Sequence, residues 1–331
     1  MSKKYKKTNK KLCIIGGDTF NFELVINGEN EYKFLESKPL INSQNKEFGT
    51  VEMKKGKIYI CINLPKFVRN NNIKPFSISD INMLEIINRD IEQALRKALN
   101  GIIENSTDVL AATVKSLECN ITQHVSPNST CAQVLNLINR SFHEGTNKVY
   151  QGSSTDCKYH KKDESVIINR KNYYILKCYD KSLEQRTSGN KEIKDGLLRI
   201  EVIMQKRILK KLFSDKSTIR NILTEQGLIK IIDEYKRIFI NEFVEDHIKP
   251  CLRDVTNIIF ESLKKTGSPI ETIALHKELI MDMELLRTAL KKWYKSKDKA
   301  DYSRHAIKRL EEHDFPKDVV KTIKIFKKSC D

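Results

Sequence analysis

The sequence predicts an α+β chain: an antiparallel sheet with helices packed on one face, followed by an all-helical C-terminal region. Three observations predict it. Short extended segments with alternating polar and apolar residues recur up to about residue 205. Beyond Gln205 every segment has helical period. The apolar fraction of 39% and 13 Phe with 11 Tyr argue for packed cores despite a charged fraction of 31%.

From Leu12 to Pro65 the segments FELVIN, EYKFLE, FGTVEMKK and KIYICINLP read as strands, with turn signals at Asn27-Gly28 and Lys55-Gly56. The last two form a hairpin. A helix starts near Ser79, carries Ile81, Leu84, Ile87, Ile91 and Leu95 on one stripe, and stops at Asn100-Gly101. A strand covers about 109–122. A second helix, CAQVLNLINRSF, follows Pro127 and Ser129 and ends near Gly145. The two helices are expected to cover the apolar face of the sheet. Extended segments come next at 148–151, 173–181 and 196–204, with the polar basic segment QGSSTDCKYHKKDES read as a loop. Helices are expected near 206–213, 217–225, 228–243, 250–264, 269–294, 303–312 and 317–328. The chain thus divides into a basic arm at 1–11, an α+β domain at 12–205 and a helical domain at 206–331.

Composition narrows the partners. Lys plus Arg exceeds Asp plus Glu by 60 to 43, a net +17 that favours a polyanion, of which nucleic acid is the commonest. Six lysines fall in the first eleven residues, either a solvated terminus or an arm along phosphates. No run of 18 apolar residues and no signal-peptide core occurs, so neither a membrane nor secretion is expected. The eight cysteines are scattered without a metal-knuckle spacing, as expected of free thiols in a cytoplasmic protein.

Three strands carry ionisable groups in their middles. In VKSLECNIT, Leu117, Cys119 and Ile121 face the core, opposite Ser116, Glu118, Asn120 and Thr122. In YILKCYDK, Leu176 and Cys178 oppose Lys177, Tyr179 and Lys181; in LLRIEVIM, Leu198, Ile200 and Val202 oppose Arg199 and Glu201. Such alternation is routine in a sheet with one solvated face. Mid-strand glutamates are poor strand formers, however, and two of them ask for a reason. Two carboxylates can hold a divalent cation, and a lysine-flanked tyrosine is a candidate nucleophile.

At these residues the chain resembles rolling-circle replication initiators. YILKCYDKSLE followed by LLRIEVIMQKR is similar to the strand pair that carries the nicking tyrosine in plasmid initiators of the Rep_trans class and, more loosely, in filamentous-phage replication proteins. VYQG resembles the family's upstream aromatic strand, and VKSLECNIT its metal-binding strand. The resemblance spans about residues 109–207. It departs from the family by inserting TDCKYHKKDESVIINRK before the tyrosine and by having Ser116 where the family has Arg. No two histidines lie two residues apart, so the His-hydrophobic-His motif of the wider HUH-endonuclease group is absent.

The resemblance implies an HUH-endonuclease-like fold and metal-dependent, origin-specific nicking and joining of single-stranded DNA through a 5′-phosphotyrosine. Tyr179 would be the nucleophile, with Lys177, Lys181 and Arg199 on the phosphates. Glu118 and Glu201 would hold Mg²⁺ or Mn²⁺, with His143 a candidate third ligand. Tyr173 and Tyr150 compete for the nucleophile's role but read more simply as packing or stacking residues. The implied partners are origin DNA, single-stranded or as a hairpin, a host helicase and polymerase, and a second copy as a homodimer. Trp293 among the lysines of KKWYKSKDK, and the last helix with Lys317, Lys321, Lys324, Lys327 and Lys328, are further candidate DNA contacts. The alternative is a non-enzymatic DNA-binding initiator or regulator.

Overall fold

The computed structural model describes residues 15–25, 35–54, 56–69, 73–142, 148–151 (backbone), 165–170, 172–189, 193–214, 217–297, 305, 307–308 and 315–330. The N-terminal arm, the turn at 27–28, His143, the loop at 152–164 and most of the helix expected at 303–312 lie outside them.

Among the described residues nine strands form one antiparallel sheet: β1 Ile15–Val25, β2 Leu35–Ile41, β3 Glu47–Lys54, β4 Lys57–Asn63, β5 Thr113–His124, β6 Lys148–Gln151, β7 Ser165–Arg170, β8 Tyr174–Asp180 and β9 Leu197–Met204. Their spatial order is β2-β3-β4-β1-β5-β9-β8-β7-β6. Pro39, which cannot donate to a ladder, sits in the edge strand β2. Strand β7 was not expected; the loop read at 151–165 ends at its first residue. The strand pairs with β8 and carries β6 on its other side, so the stretch that reads as an insertion contributes a strand to the sheet.

Most helices expected within the described residues are present, with shifted ends, though the one expected at 217–225 is only Ile219–Ile222. Ser77, not Ser79, opens the first helical segment, where Asp80 accepts from the Ser77 N–H in a capping box that precedes helix Leu84–Ala98. Two short helices, Leu64–Arg69 and Lys181–Thr187, were not expected. The long segment expected at 269–294 is two helices, Pro269–His276 and Met283–Lys295, because Asp282 caps the second one. Helices Glu225–Arg237 and Lys249–Thr266 are joined without a break by a π-helix, Ile238–Ile248. Its wide turns end two residues before Pro250, whose ring would clash in a tight α-turn.

Helix Cys131–Ser141 packs on β7 and β8 as expected, whereas Leu84–Ala98 packs at β2. The middle of the sheet is covered from beyond residue 205. Helix Glu225–Arg237 lies on β1 and β5, and the Tyr235 hydroxyl donates to the Ile200 carbonyl at 2.9 Å. The C-terminal helix Val319–Cys330 is tied to the end of β5 through Ser126 N–H to Thr322 Oγ1 at 3.0 Å and Ser329 Oγ to Gln123 at 3.1 Å. One apolar core therefore runs from Ile15 to Cys330 across the change of secondary structure at 205. No described helix is long and apolar enough to cross a membrane.

Candidate functional site

Strand register fixes which side chains meet. Asn120 of β5, Glu201 of β9 and Lys177 of β8 lie directly opposite one another. One row further, Thr122, Arg199 and Tyr179 do the same, with Ser165 of β7 beyond Tyr179. Glu118 pairs with Ile203 and is therefore the diagonal neighbour of Glu201. Such neighbours have Cα atoms about 7–8 Å apart. Glu118, Lys177, Tyr179, Arg199 and Glu201 thus share one face of three adjacent strands, opposite the buried Leu117, Cys119, Leu176, Cys178, Ile200 and Val202.

This face was expected to be solvated at these positions, but Tyr179, Arg199 and Glu201 are buried and Glu118 and Lys177 half-buried. Tyr179 is 7% exposed, Glu201 5% and Arg199 1%. One cause is the strap Ile73–Ser77, which crosses the face: the Arg199 Nη2 donates to the Ile73 carbonyl at 3.0 Å, and Phe76 exchanges backbone hydrogen bonds with Gly17. Gly16 permits this crossing, because a Cβ there would sit 1.9 Å from the Phe76 oxygen.

The residue that the strand pattern did not reveal is Asp18. It lies where the β1–β5 register shifts between Gly17 and Phe20, and it is 2% exposed. Its Oδ2 accepts from Arg199 Nη1 at 2.9 Å and Asn120 Nδ2 at 2.8 Å, and its Oδ1 accepts from Asn63 Nδ2 at 3.0 Å. Arg199 Nε also donates to Thr122 Oγ1 at 2.7 Å. The pair of adjacent glycines before an aspartate inside an apolar strand was the available signal, since such a dipeptide marks a bulge or a close backbone approach.

Lys181 corrects a second expectation. The strand ends at Asp180, whose carboxylate accepts from the Leu183 N–H at 3.1 Å and starts a helix. Lys181 is consequently not a strand neighbour of Tyr179. It is fully buried, ion-paired with Glu184 one helical turn on, with its Nζ 5.8 Å from the centre of the Tyr179 ring.

Burial dominates the titration of these groups. It raises Glu118 to about 8, helped by Glu201 and opposed by Lys177. Glu201 is raised for the same first reason, with Arg199 opposing. Burial, then Glu201, lifts the Tyr179 phenol well above its ordinary value, and Arg199 opposes that rise. Burial and Arg199 lower the Lys181 ammonium, while Glu184 supports its charge. Burial also works against the Arg199 charge, but Tyr179, Asp18 and Glu201 outweigh it and keep the guanidinium protonated.

A divalent cation would have one place to bind here, where two carboxylates are diagonal neighbours. Glu118 and Glu201 are two hard-oxygen ligands whose joint ionisation in a buried site calls for a nearby positive charge. The Asp18 oxygens are already engaged by Arg199, Asn120 and Asn63. Among the described residues no three His, Cys, Asp or Glu side chains gather as a metal site, so water would complete the shell.

The other candidate DNA contacts differ where described: Trp293 is buried, whereas Lys317 and Lys328 are exposed. Trp293 is 4% exposed in the helical core, with Lys297 Nζ 4.1 Å from its ring centre. On the last helix Lys321, Lys324 and Lys327 pair with Asp318, Glu284 and Glu245. Tyr173 is 47% exposed with Arg207 stacked 5.2 Å from its ring centre, away from the Tyr179 row. No protein-family model matches the chain, and no curated protein matches it either.

Proposed function

We propose that this chain initiates rolling-circle replication by nicking and rejoining single-stranded origin DNA through Tyr179. The supporting observation is the juxtaposition of Tyr179 with Arg199 directly opposite it, Lys177 two residues before it, and the Glu201–Glu118 carboxylates one row away. In this reading the Tyr179 oxygen attacks phosphorus, its proton leaves to solvent or a nearby base, and the displaced 3′ oxygen departs as a hydroxyl. A 5′-phosphotyrosine remains, and the free 3′ end serves a polymerase. Mg²⁺ or Mn²⁺ held by Glu118 and Glu201 would supply charge neutralisation at the phosphate. Arg199 and Lys177 orient the same phosphate, and Arg199 favours the phenolate that burial disfavours. The net +17 charge supports long-range attraction of DNA, with host helicase and polymerase as further partners.

Burial of Tyr179 requires the covering chain to move before a strand can enter. That burial, with Asp18, Asn120, Thr122 and Arg199 satisfying one another, favours a second reading: the polar row is structural and the protein is a non-enzymatic origin-binding initiator.

A covalent-adduct assay decides between them. Incubation with single-stranded origin DNA and Mn²⁺ should give a denaturant-resistant protein–DNA band, which Tyr179→Phe abolishes while DNA binding persists. Binding without any band, across single-stranded and hairpin DNA, selects the second reading.

A further inference from the structure

Among the described residues Tyr173 is the one aromatic side chain that stands exposed, at 47%. It lies in the turn before β8, at the opposite end of that strand from Tyr179. The Arg207 guanidinium sits over the ring, 5.2 Å from its centre. Backbone bonds hold the two in place: the Gln205 N–H donates to the Tyr173 carbonyl at 2.8 Å, and the Arg207 N–H to the Asn172 carbonyl at 3.3 Å. A ring fixed beside a guanidinium and still half open to water is a platform on which another flat group can stack.

The helix that starts beside it, Lys206–Phe213, extends the platform with charge. Ile208, Leu209 and Phe213 turn into the core, while Lys206, Arg207, Lys210 and Lys211 are exposed. Residues three and four apart are neighbours on a helix, so these cations form one strip leading away from the ring. Like charges at that spacing destabilise a helix unless an anion neutralises them. From Gln205 to Ser214 the sequence holds no acid. Of the four cations only Lys211 has an acid partner among the described residues, Glu234 at 3.7 Å. On the last helix, by contrast, Lys321, Lys324 and Lys327 are each engaged by a carboxylate. The apolar side of Lys206–Phe213 is spent on the core, which leaves no side chain to enter a lipid layer. An open ring beside unneutralised cations suits a base and its flanking phosphates instead.

We propose that Tyr173, Lys206, Arg207 and Lys210 form a binding site for single-stranded nucleic acid. One base stacks on the open part of the Tyr173 ring, and the neighbouring phosphates lie along the helix cations. Stacking of this kind needs an unpaired base, which selects a single strand over a duplex. The inference rests on the DNA binding common to both readings above and not on nicking.

Fluorescence anisotropy of a labelled oligothymidylate with the full chain tests this, against a duplex of the same length. Tyr173→Ala should weaken binding of the single strand by about fivefold or more, and Tyr173→Phe, which keeps the ring, should restore it. Duplex binding should not respond to either change. Lys206→Ala with Lys210→Ala should make the dependence of log affinity on log salt shallower by about 1.4, the contribution of two phosphate contacts to a single strand. All these side chains are exposed, so unchanged melting temperatures should accompany the losses. Single-strand binding indifferent to Tyr173→Ala, a phenylalanine variant as weak as the alanine one, or an unchanged salt slope would overturn the proposal. So would a wild-type chain that ignores the oligonucleotide and binds vesicles of anionic lipid. The assay reads binding alone: a missing covalent adduct sinks the nicking reading and leaves this site standing, whereas binding that does not depend on Tyr173 does the reverse.

Discussion

Arg199 and Asp18 form a buried ion pair at 2.9 Å that reaches from β9 across the intervening β5 to β1. Asn120 of β5 donates to the same Asp18 oxygen, so three neighbouring strands are joined at one carboxylate. A guanidinium 1% exposed is tolerated only because its donors are satisfied.

Removing the acid should therefore be more harmful than the loss of its hydrogen bonds alone. Asp18→Ala leaves a buried cation without its main counter-charge and should lower unfolding free energy by about 3–5 kcal/mol. Asp18→Asn keeps an acceptor and should lose less. Urea denaturation checks both, and an alanine variant within about 0.5 kcal/mol of wild type would show that Arg199 finds another anion.

Glu118 makes stability depend on pH. Its folded value of about 8 lies above the ordinary 4.5, so between these values the folded chain holds a proton that the unfolded chain releases. The group's contribution is full below 4.5 and is lost as pH rises to about 8. Glu118→Gln should flatten this part of the stability–pH curve and should be the more stable protein above pH 8. Identical slopes for variant and wild type would mean that Glu118 ionises freely in the folded state.

Gly16 tests the strap. Gly16→Ala places a methyl 1.9 Å from the Phe76 carbonyl oxygen, and backbone on both sides must give way. A loss of about 1–3 kcal/mol is expected, as for overpacking elsewhere, together with faster hydrogen exchange of the Gly17 and Phe76 amides that now protect each other. Unchanged exchange at those amides would show that the strap is held elsewhere.

The fragment 1–205 should not fold alone. Without helix Glu225–Arg237 the apolar face of β1 and β5 lies open, and Ile200 loses the Tyr235 hydroxyl on its carbonyl. Poor amide dispersion by NMR and binding of a hydrophobic dye are expected of the fragment. A well-dispersed spectrum would make the N-terminal part an independent domain.

Much of this arrangement was legible in residue order. A strand's side chains alternate with period two, so Leu117, Cys119 and Ile121 had to oppose Glu118 and Asn120, and the same holds for Tyr179 and Arg199 on their strands. Helical period likewise marked most of the described helices after Gln205, because that signal is local. Pairing between strands is not local. Which strands lie together, that β7 joins the sheet, and that Tyr179 sits directly opposite Arg199 follow from the order β5-β9-β8-β7, which connects residues far apart in the chain. Burial of the polar row is decided the same way. Its cover includes a strap more than a hundred residues away in sequence, admitted because Gly16 has no side chain, and its charge is balanced by Asp18 at a bulge that breaks the period on which strand reading depends.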